Sequence, residues 1–132
     1  MLRKPHVSLV ALVALAIASA AAPSLAASPD LSGRYACAGT NADGSRYSGT
    51  VTITPMGSAW RIDWIVGGSS HGGVGLVEGD VLSACWNIRG TRDGGIVVYR
   101  LAAGGRLIGR WSATTGTGAV GTETLTPANI PQ

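Results

Sequence analysis

Few side chains in this 132-residue chain could exchange protons or attack a substrate. Of its two histidines, His6 lies near the start and His71 sits in Ser69-Ser70-His71-Gly72-Gly73. A hydrolytic reading would take Ser69 or Ser70 as nucleophile and His71 as its base. Adjacent residues seldom present their tips to one another, and no Gly-x-Ser-x-Gly elbow supplies oxyanion donors. The stretch therefore reads as a polar loop tip. Nothing around His71 would orient or tune its imidazole, so its substitution is expected to leave activity in place.

The carboxylates offer a second kind of chemistry. A glycosidase pair could be drawn from Asp63, Glu78, Asp80, Asp93 and Glu123. Asp63 and Glu123 fall in the middle of strand-like segments, where outward-facing positions account for them. Asp43-Gly44-Ser45 resembles part of a calcium loop, but the twelve-residue spacing with its closing Glu is missing, and a turn explains it. One late histidine and two cysteines do not make a zinc set. No metal or cofactor is expected, and the protein is expected not to be an enzyme.

Aromatic residues are the stronger lead. Trp60, Trp64, Trp86, Trp111, Tyr35, Tyr47 and Tyr99 are many for a chain with no Phe. Trp and Tyr combine a large surface with one hydrogen-bonding group and are enriched in ligand pockets and interfaces. Trp60, Trp64, Trp111 and Tyr99 are the candidate ligand-binding residues. The competing explanation is that the tryptophans fill the core of a glycine-rich sheet, where small positions need large partners.

These residues must be positioned by strands, because no segment holds a helical period for three turns. Short alternating runs recur between turn signals: Ser32 to Ala38, Tyr47 to Thr54, Trp60 to Val66, Val74 to Val77, Val81 to Ile88, Ile96 to Leu101, Leu107 to Ala113 and Val120 to Thr126. The third carries the clearest period of two, with Trp60, Ile62, Trp64 and Val66 on one face and Arg61, Asp63 and Ile65 on the other. Gly67 to Gly73 reads as a glycine-rich connection. Eight short strands with brief connections predict an all-β fold, a single small antiparallel eight-strand barrel or barrel-like meander, with a two-sheet β-sandwich as the alternative. A weak repeat of large residue, Gly and large residue at spacings of two recurs in Leu31-Ser32-Gly33-Arg34-Tyr35, Tyr47-Ser48-Gly49-Thr50-Val51 and Leu107-Ile108-Gly109-Arg110-Trp111. A strand bending at Gly, with large same-face neighbours covering the gap, explains it.

Residues 1–26 have the layout of an export signal: Arg3 and Lys4, an apolar run from Val7 to Ala22, Pro23, then small residues at Ser24 and Ala26. Cleavage after Ala26 is expected, leaving a single domain over 27–132 in the periplasm or outside the cell. The apolar run is short of the ~20 residues a membrane helix needs, so stable membrane insertion is not expected. All 20 glycines follow the signal. So do eight arginines scattered among seven acidic residues, too even a balance for a nucleic-acid-binding patch. Cys37 and Cys85 are the only cysteines, and an oxidising compartment predicts a Cys37–Cys85 disulfide.

Gly33-Arg34-Tyr35, Gly39-Thr40-Asn41, Asp43 through Val51, the Trp60–Trp64 strand, Gly73-Val74-Gly75, Val97-Val98-Tyr99 and Gly118 through Pro127 carry a resemblance. The chain resembles a group of small exported bacterial all-β proteins commonly labelled fibronectin-binding protein. That resemblance implies binding of a host or matrix protein through an exposed sheet face. Leu31-Ser32-Gly33-Arg34-Tyr35 also looks like the opening of avidin-type and lipocalin-type barrels. The alternative function is accordingly a carrier of a small apolar or aromatic ligand. Side-chain directions of Trp60, Trp64 and Trp111 separate the two: convergence on an open cavity favours the ligand, and an aromatic outer patch favours the protein partner.

Overall fold

Strict alternation of side chains makes one face of each strand an interior. The computed structural model describes residues 29–128, so the expected export signal and its cleavage site lie outside the described residues. Eight strands follow in order: β1 (Gly33–Thr40), β2 (Arg46–Met56), β3 (Ala59–Val66), β4 (Ser69–Glu78), β5 (Val81–Ile88), β6 (Gly94–Leu101), β7 (Leu107–Ala113) and β8 (Gly121–Pro127). Each pairs antiparallel with the next, and β8 returns to β1, with Cys37 opposite Leu125, to close the barrel. Closure leaves no free sheet edge. The eight-strand barrel expected from the sequence is the observed fold, and the sandwich alternative is overturned.

One expected connection is mostly strand. Gly67 and Gly68 alone make the β3–β4 turn, with φ of 56° and 77°. A two-residue turn with positive φ at both positions matches the right-handed twist of the flanking strands. Ser69 through Gly73 then continue as β4, with His71 opposite Trp64.

The interior is filled at one end. Ile53, Ile62, Leu82, Leu107 and Leu125 are fully buried there. Burial of each contributes about 1.5–3 kcal/mol. Leu31 crosses below them, its carbonyl accepting from the buried Tyr35 hydroxyl at 2.7 Å. The other end, beneath the β1–β2, β3–β4, β5–β6 and β7–β8 connections, is lined by rings and stays open.

Inward-facing glycines place those rings. Gly39 lies opposite Tyr47, Gly95 opposite Trp86, Gly109 opposite Tyr99 and Gly121 opposite Trp111. A Cβ on any of the four would come within 2.2 to 2.6 Å of the facing ring. The large residue that covers a glycine thus stands across the ladder, on the neighbouring strand, and not two positions along the same strand as the sequence repeat implied. Cross-strand coverage of this kind lets a small barrel curve tightly without leaving a void.

The expected disulfide is absent: both cysteines are free. Cys37 points into the barrel from β1, whereas Cys85 is exposed on β5 between the inward-facing Ala84 and Trp86. β1 and β5 are four strands apart around a ring of eight. The two thiols therefore stand on opposite walls and face opposite ways, which no disulfide geometry spans.

Candidate ligand cavity at the open end

Seven of the eight strands supply side chains to a cavity of about 300 Å3 at the open end. β2 contributes Tyr47, β3 Trp64, β4 His71, β5 Trp86, β6 Val97, β7 Trp111 and β8 Glu123, while Asn41 and Ser69 border the mouth. The rings meet edge to face. Trp86 and Trp111 stand 6.0 Å apart at 83°, Tyr47 and Trp111 6.4 Å apart at 65°, and His71 and Trp86 5.7 Å apart at 72°. Such edge-to-face contacts are a favoured arrangement of aromatic quadrupoles, so the walls support one another without a ligand.

At the base lies Glu123, only 5% exposed. Its Oε1 accepts from the Tyr47 hydroxyl at 3.0 Å, and its Oε2 accepts from Trp64 Nε1 at 3.1 Å and from the Tyr99 hydroxyl. Trp64 Nε1 also lies 3.1 Å from the Tyr99 oxygen. Burial pushes the Tyr47 and Tyr99 hydroxyls well above the usual phenol range, and the Glu123 charge adds to that effect. The Cys37 thiol is raised for the same two reasons in the same order. Every group around the carboxylate is therefore a neutral donor. Among the described residues no Arg or Lys lines the cavity.

Two polar atoms at this end are buried with no hydrogen-bond partner among the described residues: His71 Nδ1 and Trp111 Nε1. Buried polar groups are nearly always paired, so an unpaired one in a cavity wall is available to a ligand or water. Burial lowers the His71 pKa below its ordinary value, with the Ser69 carbonyl and Glu123 pulling weakly the other way.

The sequence-derived candidates fall at three levels. Trp64 and Trp111 line the cavity. Tyr99 lies beneath it, fully buried, and reaches it only by holding Glu123. Trp60 is at the opposite end, half-buried between Pro55 and Gly75 and packed on the core. Sequence reasoning passed over Tyr47, Trp86, His71 and Glu123. His71 is a strand residue facing the cavity and not a loop tip, and Glu123 faces inward and not outward. The signal for Glu123 was its spacing of two from Leu125, which the barrel buries completely.

The nucleophile–base arrangement of a serine hydrolase is not formed among the described residues. Among the described residues no side-chain hydrogen bond joins His71 to the hydroxyl of Ser69 or Ser70 or to Glu123, and both oxygens of Glu123 are engaged by Tyr47, Trp64 and Tyr99. Such a bond is the mark of a nucleophile–base pair. Asp63 is on the outer face, paired with Arg61 and Arg89. Asp43 accepts from the backbone N–H and hydroxyl of Ser45 in its turn, as the turn reading expected. No cluster of metal-ligating side chains occurs among the described residues.

On the outside, Ile96, Val98, Ile108 and Val120 are exposed on and beside β6 and β7, and Ile65, Val74 and Leu76 on β3 and β4. This strip is aliphatic. Arg34, Thr50, Thr52 and Thr54 make the outer face of β1 and β2 polar, so no apolar belt encircles the barrel. No described helix is long and apolar enough to cross a membrane.

No protein-family model and no curated protein matches the chain. Solved structures do match. A redesigned β-barrel, mFAP1, bound to DFHBI, is similar with a TM-score of 0.62 at 18% identity, over 73% of this chain and 94% of that one. A de novo designed fluorescence-activating β-barrel gives 0.58 at 12% identity, over 74% and 93%. A REP1-NXSQ fatty acid transporter gives 0.49 at 12% identity, over 76% and 98%. At these identities the likeness to the two designed barrels is one of fold, and the fold is a small antiparallel β-barrel.

Proposed function

We propose that the protein is a non-enzymatic binding protein that holds one compact aromatic or apolar molecule in the open half of its barrel. The observation that carries this reading is the convergence of Tyr47, Trp64, Trp86 and Trp111 on one cavity. At about 300 Å3 the cavity has the space of roughly ten liquid waters at ~30 Å3 each. A ligand of about ten non-hydrogen atoms fits it. A Kd near 1 μM, about 8 kcal/mol, would need ~0.8 kcal/mol per atom, within the bounds for small ligands. The redesigned barrel bound to DFHBI supports the reading by analogy of fold. With the expected signal removed after Ala26, the barrel would act in the periplasm or outside the cell.

Capture of a matrix protein such as fibronectin has the outer strip of Ile96, Val98 and Ile108 in its favour. Arg100 and Arg110 flank that strip, but its exposed apolar residues include none of the Trp and Tyr rings that anchor protein interfaces. The test is two-dimensional NMR of the tryptophan indole N–H signals during titration with compact aromatic molecules of different charge. Binding in the cavity shifts Trp64, Trp86 and Trp111 and leaves Trp60, at the far end, unmoved. Shifts confined to outer-face amides of β6 and β7, seen only with a protein partner, would replace this reading with the second.

A further inference from the structure

The cavity carries a negative group at its base, and no Arg or Lys among the described residues neutralises it. Glu123 is held by three neutral donors, from Tyr47, Trp64 and Tyr99. The paired arginines Arg61, Arg89 and Arg100 are on the outer surface, bound to Asp63 and Asp80. Accepting from donors at both oxygens is the hydrogen-bonding of an ionised carboxylate. Such a charge near the barrel axis acts through a poorly screening interior. It attracts a cation entering the mouth and repels an anion.

We infer that the ligand is a small organic cation, a protonated amine or quaternary ammonium on a compact apolar or aromatic body, drawn over the rings of Trp64, Trp86 and Trp111 toward Glu123. The inference rests on the cavity being a ligand site and names the chemistry that site selects. Aromatic walls bind such cations through the negative faces of their rings, most strongly for Trp and in a desolvated setting. Three indoles and a phenol form these walls, with Trp86 and Trp111 nearly perpendicular, so a compact cation can meet several rings at once. A carboxylate ligand would find no Arg or Lys to receive it and would face Glu123. A neutral aromatic molecule would gain the burial but not the electrostatic term.

Three probes of matched size, each about eleven non-hydrogen atoms and close to the cavity's capacity, separate these cases: benzyltrimethylammonium, its uncharged isostere neopentylbenzene, and 3-phenylpropionate. Purified protein is titrated with each, read by the indole N–H signals. Benzyltrimethylammonium is expected to bind at least about tenfold tighter than neopentylbenzene, with 3-phenylpropionate weakest. In Glu123→Gln, which keeps the side chain's shape, the preference for the cation over the neutral isostere should fall to about threefold or less. Equal or tighter binding of the neutral or anionic probe in the wild-type protein would overturn the charge assignment while leaving the cavity as a ligand site. Absence of shifts with all three would overturn both. Retention of the full cation preference in Glu123→Gln would remove Glu123 as its source.

Discussion

Replacing Glu123 by Leu tests whether the polar group at the heart of the barrel stabilises the fold or burdens it. Two effects compete. Removing a buried charge relieves a desolvation cost that reaches several kcal/mol for a fully buried ion. Here three donors already compensate the carboxylate, so that relief is small. Against it stand three donors that lose their acceptor. Tyr47 can turn to the Thr122 carbonyl, already 3.2 Å from its hydroxyl, and Trp64 Nε1 keeps the Tyr99 oxygen at 3.1 Å. Tyr99 has no substitute, and its hydroxyl is sealed at 0% exposure. An orphaned buried hydroxyl costs about 1–3 kcal/mol, and the loss of charge assistance on the other two bonds adds about another 1. Glu123→Leu should therefore destabilise the protein by about 2–4 kcal/mol, lowering Tm by on the order of 10–20 °C for a domain near 100 residues. Glu123→Gln keeps an acceptor for Tyr99 and should cost about 1 kcal/mol. Urea denaturation followed by tryptophan fluorescence gives both values, with unchanged m confirming that native compactness is retained. A Leu variant as stable as wild type, or more stable, would refute this reasoning and mark the carboxylate as a burden the fold tolerates.

Four other expectations are as direct. Gly121→Ala puts a methyl 2.2 Å from Trp111 Cε2, and the ring can yield only toward the cavity, so ligand affinity should fall more than tenfold for a stability loss of about 1–3 kcal/mol. Gly73→Ala meets the Cys85 carbonyl oxygen at 1.8 Å, which is backbone and cannot yield, so that variant should fail to give a cooperative thermal transition; equal behaviour of the two would refute the distinction. Burial holds the folded His71 pKa below 6.5, so between pH 7.5 and 5.5 the unfolded chain takes up a proton that the folded one resists, and stability falls with acidification. Thermal melts of His71→Gln should lose that part of the pH dependence, and an identical profile would refute it. Without reductant, Ellman's reagent should find one reactive thiol in the native protein, Cys85, and two after denaturation; none after denaturation would mean that the cysteines are joined.

Strand number and the inward phase of β3 were legible because the packed end of the barrel obeys hydrophobic alternation. Ile62 and Trp64 face the core while Arg61 and Ile65 face out. At the open end that rule lapses. The inward residues of β4 there are Ser69, His71 and Gly73, which face a cavity and rings, so no apolar alternation marked the strand. Glu123 was obscured by the same cause, since an inward polar residue imitates an outward one when burial is inferred from residue type. Its phase was nonetheless fixed by Leu125 two positions on. Likewise Trp86 and Ala84, inward on β5, place Cys85 outward, which spacing alone could have set against the disulfide. The pairing of β1 with β8, joining the two ends of the domain, depends on packing across the whole barrel and left no local trace.

That last pairing also sets when the site comes into being. The donors Tyr47, Trp64 and Tyr99 sit on β2, β3 and β6, but their acceptor arrives with β8, the last of the described strands. Every other strand pairing in the ring joins sequence neighbours, whereas docking β8 onto β1 is a contact of long sequence separation and so a slow one. Until it occurs, three buried-to-be donors lack their partner and the cavity lacks its base. A chain emerging from a ribosome or a translocation pore would hold most of the aromatic walls before it holds Glu123. Recognition in this architecture is thus a property of the completed ring alone, and uptake of ligand would report the last event of folding.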